Sequence, residues 1–494
     1  MSRVHHDAIK RNRFLYLISN LAGHGYILVT LPILTEYLTP DYFGFYIILV
    51  QVVAIAQVAS LTLFSSPLLR FNASYEGSER QKFIGTIFLS FITLQLLVSL
   101  GLYLWRNNWL IVLFPNITIP FDPYLLYALL WMVLVSTRGI AMTLIKTLER
   151  PILALVQILL YGALFTASLY LLVIQANWGL DGVLLALAFA EAGTLLLILW
   201  CVRKNIVFTW RPQYLKKVLA FSAPLAASAL LFIIFSSVDR IVLSRYVSLG
   251  ELGVYGIGFM VGNIAALIVT ANMSSYSPRM LKVMQSEGDQ ATQSISEYFI
   301  RDAFAMMGLV VASLVILNDL FLRYFGSGES AIGASLVVLG VAAGHLARQQ
   351  FLFIRHRFFS ANRTGLILLL DISLLGLGFA LAHLLARLWG MHGVGFTFLA
   401  SYLLLIPFAL LLTSYYCPIT IPFAPVTKSI FFLALLTACE LYLDATTRSF
   451  GSFSYWMVKV SELLAAILFY WNYLADSMRS LNWQLKVNKD KPQK

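Results

Sequence analysis

The sequence predicts an all-α fold: a polytopic transmembrane bundle of about 14 helices, built as two parallel six-helix lobes around a central cavity, with two further helices at the C-terminal end. Three observations predict it. Hydrophobic residues make up 60% of the 494 and charged residues only 12%, about half the charged fraction of a soluble domain, and mean hydropathy is +0.81. Apolar stretches of roughly 20 residues recur along the whole chain, each long enough to cross a bilayer core. A set of short motifs also returns once, at an offset close to 210 residues.

Such a chain has no room for a separate soluble domain. In lipid its spanning stretches must be helical, because every backbone polar group needs a partner within the segment. The short alternating segments of a membrane barrel are missing from the sequence.

The expected spans are 14–38, 44–66, 83–104, 124–145, 152–174, 182–202 and 218–240, then 252–274, 299–317, 331–354, 365–386, 394–414, 428–446 and 454–474. The first is too long for a signal-peptide core and lacks a small-residue cleavage pattern, so it reads as a retained helix. A twelve-span core with a differently arranged tail is the alternative. The expected organisation is an N-terminal lobe over 1–210, a C-terminal lobe over 211–420, an added helix pair over 421–476 and a basic cytoplasmic tail over 477–494.

A net charge of +12 raises the question of nucleic acid, but the placement of the charges answers it. With the N-terminus inside, 25 of the 35 Lys and Arg fall in inner segments and six in outer ones, with Arg138, Arg301, Arg348 and Lys459 inside spans. That is the positive-inside pattern, and it puts both termini in the cytoplasm. The basic tail suits a surface of anionic lipid headgroups. The largest outer loop, 105–123, carries Pro115, Pro120 and Pro123, and the inner segment 275–298, with Glu287, Gly288 and Asp289, reads as a solvated link. Cys201, Cys417 and Cys439 have neither disulfide nor metal spacing. No cofactor motif is present, and no phosphate-binding loop for nucleotide hydrolysis.

The repeat is the most informative feature. Residues 37–46 read YLTPDYFGFY and residues 246–255 read YVSLGELGVY, so Tyr37, Gly44 and Tyr46 meet Tyr246, Gly253 and Tyr255 at an offset of 209. WGLDGV at 178–183 returns as WGMHGV at 389–394, and Ser66-Pro67 as Ser277-Pro278, both at an offset of 211. Six spans per repeat is an even number, so both halves enter from the same side and are related by an axis along the membrane normal. Two such bundles enclose a cavity, and rocking them gives alternating access. Gly44 and Gly253 suit close helix packing or tight outer turns. Pro67 and Pro278 end or kink their spans near the inner face, and Pro224 offers the seventh span a kink.

At these residues the chain resembles the polysaccharide transport family of the MOP flippase superfamily, the Wzx-type group that flips lipid-linked oligosaccharides. The pieces are LTPDYFGFY (38–46), WGLDGV (178–183), a proline-bearing seventh span, and VDRIVLSRY (238–246) followed by LGVYGI (252–257), in that order across two halves. The resemblance implies a MATE/MurJ-like fold around a cationic cavity in a bacterial inner membrane. It implies movement of an undecaprenyl-diphosphate-linked sugar unit to the periplasmic leaflet, for O-antigen, capsule or exopolysaccharide. Bilayer lipids, a coupling ion (H+ or Na+), and polysaccharide polymerase and chain-length proteins are the partners it suggests. Many members have twelve spans, whereas the MurJ-type lipid II flippases carry an added pair.

A diphosphate crossing a bilayer needs a wet, cationic path, because a bare charge in hydrocarbon is very costly. Arginine supplies permanent charge and forked donors. Arg138 in the fourth span and Arg348 in the tenth are 210 residues apart, hence equivalent in the two halves. They read either as a facing pair for the diphosphate or as side chains snorkelling to the inner interface. Arg301, beside Asp302, reads as an inner cavity mouth or a neutralised pair; Arg240, beside Asp239, as part of the site or as a helix cap. Gln51, Gln57, Asn263 and Asn272 could contact sugar hydroxyls or bond between helices. Glu191 and Asp371 are the ion-coupling candidates, with a structural hydrogen-bonded role as the alternative. His24, His345 and His383 lack metal-ligand spacing.

Two other transport readings stay open: a MATE-like ion-coupled exporter of small molecules, and a MurJ-like flippase for the peptidoglycan precursor. An embedded glycan polymerase would be expected to show a large catalytic outer loop, which this sequence lacks, so the chain reads as a non-enzyme.

Overall fold

The computed structural model describes residues 25–148, 150–286, 288–326, 333–361, 363–416, 423–446 and 455–471, and every regular element among them is helical. Contacts divide the chain into two compact units, Met1–Gly253 with Phe325–Ser327, and Val254–Tyr324 with Gly328–Lys494. Among the described residues eleven helices are long and apolar enough to cross a membrane. They coincide with the eleven expected spans from 44–66 to 394–414. The first and the last expected spans fall on shorter described helices, and 428–446 falls on Phe423–Thr446, of which Thr427–Cys439 is counted as a shorter apolar helix. Residues 14–24, the loop at 447–454, Cys417 and the tail 477–494 lie outside the described residues.

The first unit holds α1 (Ile27–Tyr37), α2 (Pro40–Phe71), α3 (Gly77–Leu104), the short α4 (Arg106–Leu113), α5 (Tyr124–Thr147), α6 (Pro151–Leu169), α7 (Gly179–Val202), α8 (Pro212–Phe235) and α9 (Val238–Leu243). Proline stands at the start of α2, α6 and α8, where its missing N–H has no helical partner to lose. Before α2 the side chain of Thr39 accepts from Tyr42 N at 3.5 Å. Within this unit α2 packs on α5 and α8, and α7 on α5 and α6. The inner half of the packing is a core of Phe64, Leu68, Phe83, Phe88, Leu144 and Val218.

The next helix, α10 (Leu249–Gly262), carries the chain from the first unit into the second. The second unit continues with α11 (Ala265–Ser286), α12 (Gly288–Ile316), α13 (Asn318–Phe325), α14 (Ser335–Ser360), α15 (Thr364–Gly395), α16 (Thr397–Tyr416), α17 (Phe423–Thr446) and α18 (455–471). α14 packs on α12, α15 and α16, and α17 on α12. The C-terminal pair interlocks through Phe432 stacked on Phe469, and a Cβ added at Gly308 of α12 would overlap the Tyr470 ring. Large side chains such as Leu97, Leu196, Phe431 and Leu468 point outward with more than half their surface exposed. On a soluble protein that would be an aggregation hazard, but it is the surface a bilayer solvates.

Several expectations are corrected. The segment 275–298 is not a loop, because α11 and α12 run through most of it. Arg279, Met280, Leu281, Lys282, Met284 and Gln285 are good helix formers that carry α11 past Pro278. Pro67 does not end α2, which continues to Phe71, and Pro278 lies within α11, which continues to Ser286. α8 stops at Phe235, so Asp239 and Arg240 belong to the separate helix α9 rather than to the end of the seventh span.

The repeat motifs have physical meanings. Gly44 and Gly253 are packing glycines inside helices. A Cβ at Gly44 would overlap the carbonyl of Leu249, and a Cβ at Gly253 would press on the carbonyl of Pro40. Pro40 and Leu249 are themselves 209 residues apart, so the contact is reciprocal between repeats. The WG motifs mark left-handed turns, with φ +51° at Gly179 and +56° at Gly390, conformations that glycine adopts without strain.

Candidate functional site

The polar interior of the first unit centres on Arg138. Its Nε forms an ion pair with Glu191 Oε2, its Nη2 donates to Glu191 Oε1 at 3.2 Å, and its Nη1 donates to Gln157 Oε1 at 3.2 Å. The guanidinium lies over the Tyr161 ring, 4.9 Å from its centre. Tyr26 meets that ring edge-on at 5.2 Å. Helices α5, α6 and α7 thus each supply one part, because single polar residues in apolar helices turn toward one another rather than toward lipid. The Glu191 side chain is 1% exposed and that of Arg138 20%. The Glu191 carboxylate is therefore closed off from solvent against the guanidinium, while one edge of Arg138 stays reachable. Beside Tyr26 and Tyr161 lies an open apolar groove of about 900 Å³, bordered by Gly25, Gly162, Thr166 and Tyr170.

A second polar node links α2, α3 and α5. Ser136 donates to Gln57 Oε1 at 3.0 Å and accepts from Gln95 Nε2 at 3.3 Å, and Ser60 bonds to Gln95 Oε1. Gln57 is thus engaged between helices. Gln51 accepts from the Ser237 hydroxyl at 2.8 Å, which ties α2 to the break between α8 and α9. Asp239 and Arg240 are both buried, 3.5 Å apart, and Arg240 also bonds to the Ser236 carbonyl.

In the second unit, Asn263 sits where α10 gives way to α11, and its Oδ1 is 3.0 Å from His345 Nε2. Arg348 is half-buried one turn further along α14, Arg301 is half-buried on α12, and Asn272 is half-buried on α11. Asp371 is held by Arg355 through two bonds, Nε to Oδ1 at 3.1 Å and Nη2 to Oδ2 at 2.9 Å. Among the described residues, no three His, Cys, Asp or Glu side chains are grouped so as to hold a metal ion.

The structure therefore joins two candidates that sequence reasoning had assigned to different roles, Arg138 for the diphosphate and Glu191 for an ion. It adds Gln157, Tyr161, Tyr26, Gln95 and Ser136, which no motif marks. The cue available for the pair was charge complementarity: opposite single charges within apolar spans of one repeat. The halves are not copies here. Arg138 and Arg348 are 210 apart, and at that offset or at the 211 of the flanking motifs Glu191 pairs with Ser401 or Tyr402, neither of them acidic. The second unit keeps the arginine and replaces its acid.

A model of the family described as polysaccharide biosynthesis protein matches residues 9–284. No curated protein matches the chain. Among solved structures, the lipid II flippase MurJ in an inward closed conformation is similar with a TM-score of 0.73 at 14% identity, covering 95% of this chain and 99% of that one. An inward-facing multidrug resistance MATE family transporter of the MOP superfamily gives 0.63 at 13%, covering 84% of this chain and 96% of that one. A Vibrio cholerae MATE transporter gives 0.61 at 17%, covering 82% and 95%. At these identities the likeness is one of fold.

Proposed function

Because the chain belongs to the polysaccharide biosynthesis protein family, we propose that it is a flippase that moves undecaprenyl-diphosphate-linked oligosaccharide units from the cytoplasmic to the periplasmic leaflet of a bacterial inner membrane. The units would feed assembly of a surface polysaccharide such as O-antigen, capsule or exopolysaccharide, and a polymerase and chain-length protein would receive them outside. The family match across residues 9–284 carries this reading. A flippase is favoured over a MATE-like exporter because the likeness to the MATE transporters covers less of this chain than the likeness to the lipid II flippase.

In this reading the two lobes rock about the cavity, and Arg138 receives the diphosphate. Two of its five N–H groups remain beyond the bonds to Glu191 and Gln157. A diphosphate arriving there competes with Glu191 for the guanidinium. A carboxylate that loses its counter-charge in apolar surroundings takes up a proton. Substrate binding is thereby tied to a proton at Glu191, with Arg348 supplying cationic charge in the other half. Export of an anion from a negative interior also gains about 2.3 kcal/mol per charge per 100 mV.

The test is a deletion strain assayed for lipid-linked oligosaccharide and its sidedness. Accumulation on the inner leaflet with loss of surface polysaccharide supports the reading. Normal lipid-linked sugars with altered drug sensitivity would overturn it in favour of an exporter. Accumulated peptidoglycan precursor would point to the second reading, a lipid II flippase, which the end-to-end fold match favours.

A further inference from the structure

The corner where α2 ends and α8 begins seats cations from two helices against one aromatic ring. Arg70 lies 5.7 Å from the centre of the Phe71 ring and 4.5 Å from that of Phe221. Lys217 approaches Phe71 at 4.5 Å and Tyr75 at 5.8 Å. The Phe71 ring thus has a cation against it from each of two helices. Behind them is a locked aromatic bed: Phe71 against Phe221 at 5.4 Å, Tyr75 against Phe83 at 4.8 Å and against Tyr214 at 5.3 Å. Arg80 joins from α3, its Nε donating to Asn72 Oδ1 at 3.0 Å.

The carboxylates nearby do not neutralise these charges. Glu79 is engaged by Lys82 at 2.9 Å, by Arg211 at 3.5 Å and by the Tyr214 hydroxyl. Glu76 is exposed and makes no ion pair among the described residues. A solvated surface cation normally leaves its head free in water. Arg70 and Lys217 are exposed, yet their heads rest on rings, which orders the side chains while leaving the positive charge and its donors available. Ordered, unneutralised cations at the end of a membrane helix stand at the depth of lipid phosphates. An arginine fork beside a lysine suits phosphate oxygens.

We infer that Arg70 and Lys217, on the Phe71–Phe221–Tyr75 bed, form a binding site for the phosphate of a membrane lipid at the cytoplasmic rim of the first unit. Its side of the membrane rests on the orientation adopted above; its chemistry does not. The phosphate comes either from a resident anionic phospholipid or from the polyprenyl diphosphate before it enters the cavity.

Native mass spectrometry of the full-length protein in detergent tests this, titrating phosphatidylglycerol, sugar-free undecaprenyl diphosphate and, as the zwitterionic control, phosphatidylcholine. The double variant Arg70→Gln, Lys217→Gln is expected to lose at least about tenfold in affinity for an anionic lipid, and Lys217→Gln alone about fivefold. The double variant Lys204→Gln, Lys216→Gln, whose cations rest on none of these rings, should change it less than about twofold. Loss confined to phosphatidylglycerol identifies a resident lipid, and loss for the diphosphate identifies the substrate carrier. Unchanged affinity for both anionic lipids, or an equal loss in the control variant, overturns the site. If the double variant fails to fold, Lys217→Gln decides alone. The readout needs no flipping, so it can fail while the flippase reading stands, and the reverse.

Discussion

Arg138 and Glu191, 53 residues apart in sequence, form an ion pair between α5 and α7 in which the carboxylate is buried, and Gln157 accepts a further bond from the guanidinium. Removing one partner of such a pair leaves an uncompensated charge, at a cost of roughly 3–5 kcal/mol, whereas replacing both is often nearly neutral. Arg138→Ala is therefore expected to lower thermal stability markedly, and Arg138→Leu with Glu191→Leu to recover most of it. Melting curves in detergent check this. Equal melting points for the single and double variants would show that the pair carries no such coupling.

The same geometry changes how transport assays on Arg138 should be read. Loss of surface polysaccharide in Arg138→Ala mixes a binding defect with instability. Arg138→Gln combined with Glu191→Gln keeps the polar bulk and removes both charges. Flipping should be lost in that variant at normal protein level if Arg138 receives the diphosphate, and retained if the pair only holds helices together.

Gln95 is fully buried between Ser60 and Ser136. Gln95→Leu removes both of its bonds while Ser60 and Ser136 keep theirs to Gln57, and each buried hydrogen bond lost costs about 0.5–1.5 kcal/mol. A lower melting point is expected, with a smaller loss in Gln95→Glu only if the acid is protonated. An unchanged Gln95→Leu variant would mean that water replaces the network.

Arg355 and Asp371 should behave as one unit. A double-mutant cycle with Arg355→Gln and Asp371→Asn is expected to give a coupling of about 0.5–3 kcal/mol. If Asp371 instead couples an ion, Asp371→Asn should abolish transport while Arg355→Gln does not.

Substituting Gly44 or Gly253 with Ala drives a methyl group against a backbone carbonyl, a strain of about 1–3 kcal/mol. Gly376, with nothing within 4 Å of its would-be Cβ, is the control. Gly376→Ala should be neutral or stabilising by roughly 0.5–1 kcal/mol, as in any helix interior. Comparable melting points for all three variants would count against the close crossing.

Much of the fold was legible because hydropathy and helix length report directly on burial in lipid. The eleven central spans lie where apolar runs put them. What hydropathy does not report is helix beyond the bilayer, so 275–298 reads as a link although α11 and α12 occupy most of it. Pro67 lies inside α2 because the Leu63 carbonyl it leaves without a helical donor accepts from the Ser222 hydroxyl at 2.7 Å. The individual site residues were visible as charges in apolar spans, but their pairing was not. Which face of α5 meets α7 depends on rotations that a nearly uniform apolar sequence does not encode. Gln57 and Gln95 are alike in this respect, since only packing tells a helix tie from a ligand contact.

The reciprocal contact at Gly44 and Gly253 has the symmetry of a homodimer interface: each partner lends a carbonyl to the other's glycine, and exchanging the halves leaves the contact unchanged. In a half-length ancestor assembling in pairs, one substitution would have struck both sides of that crossing at once, which makes glycine hard to leave. In the single chain the two glycines are separate positions, so a substitution at either one strikes only one side of the crossing.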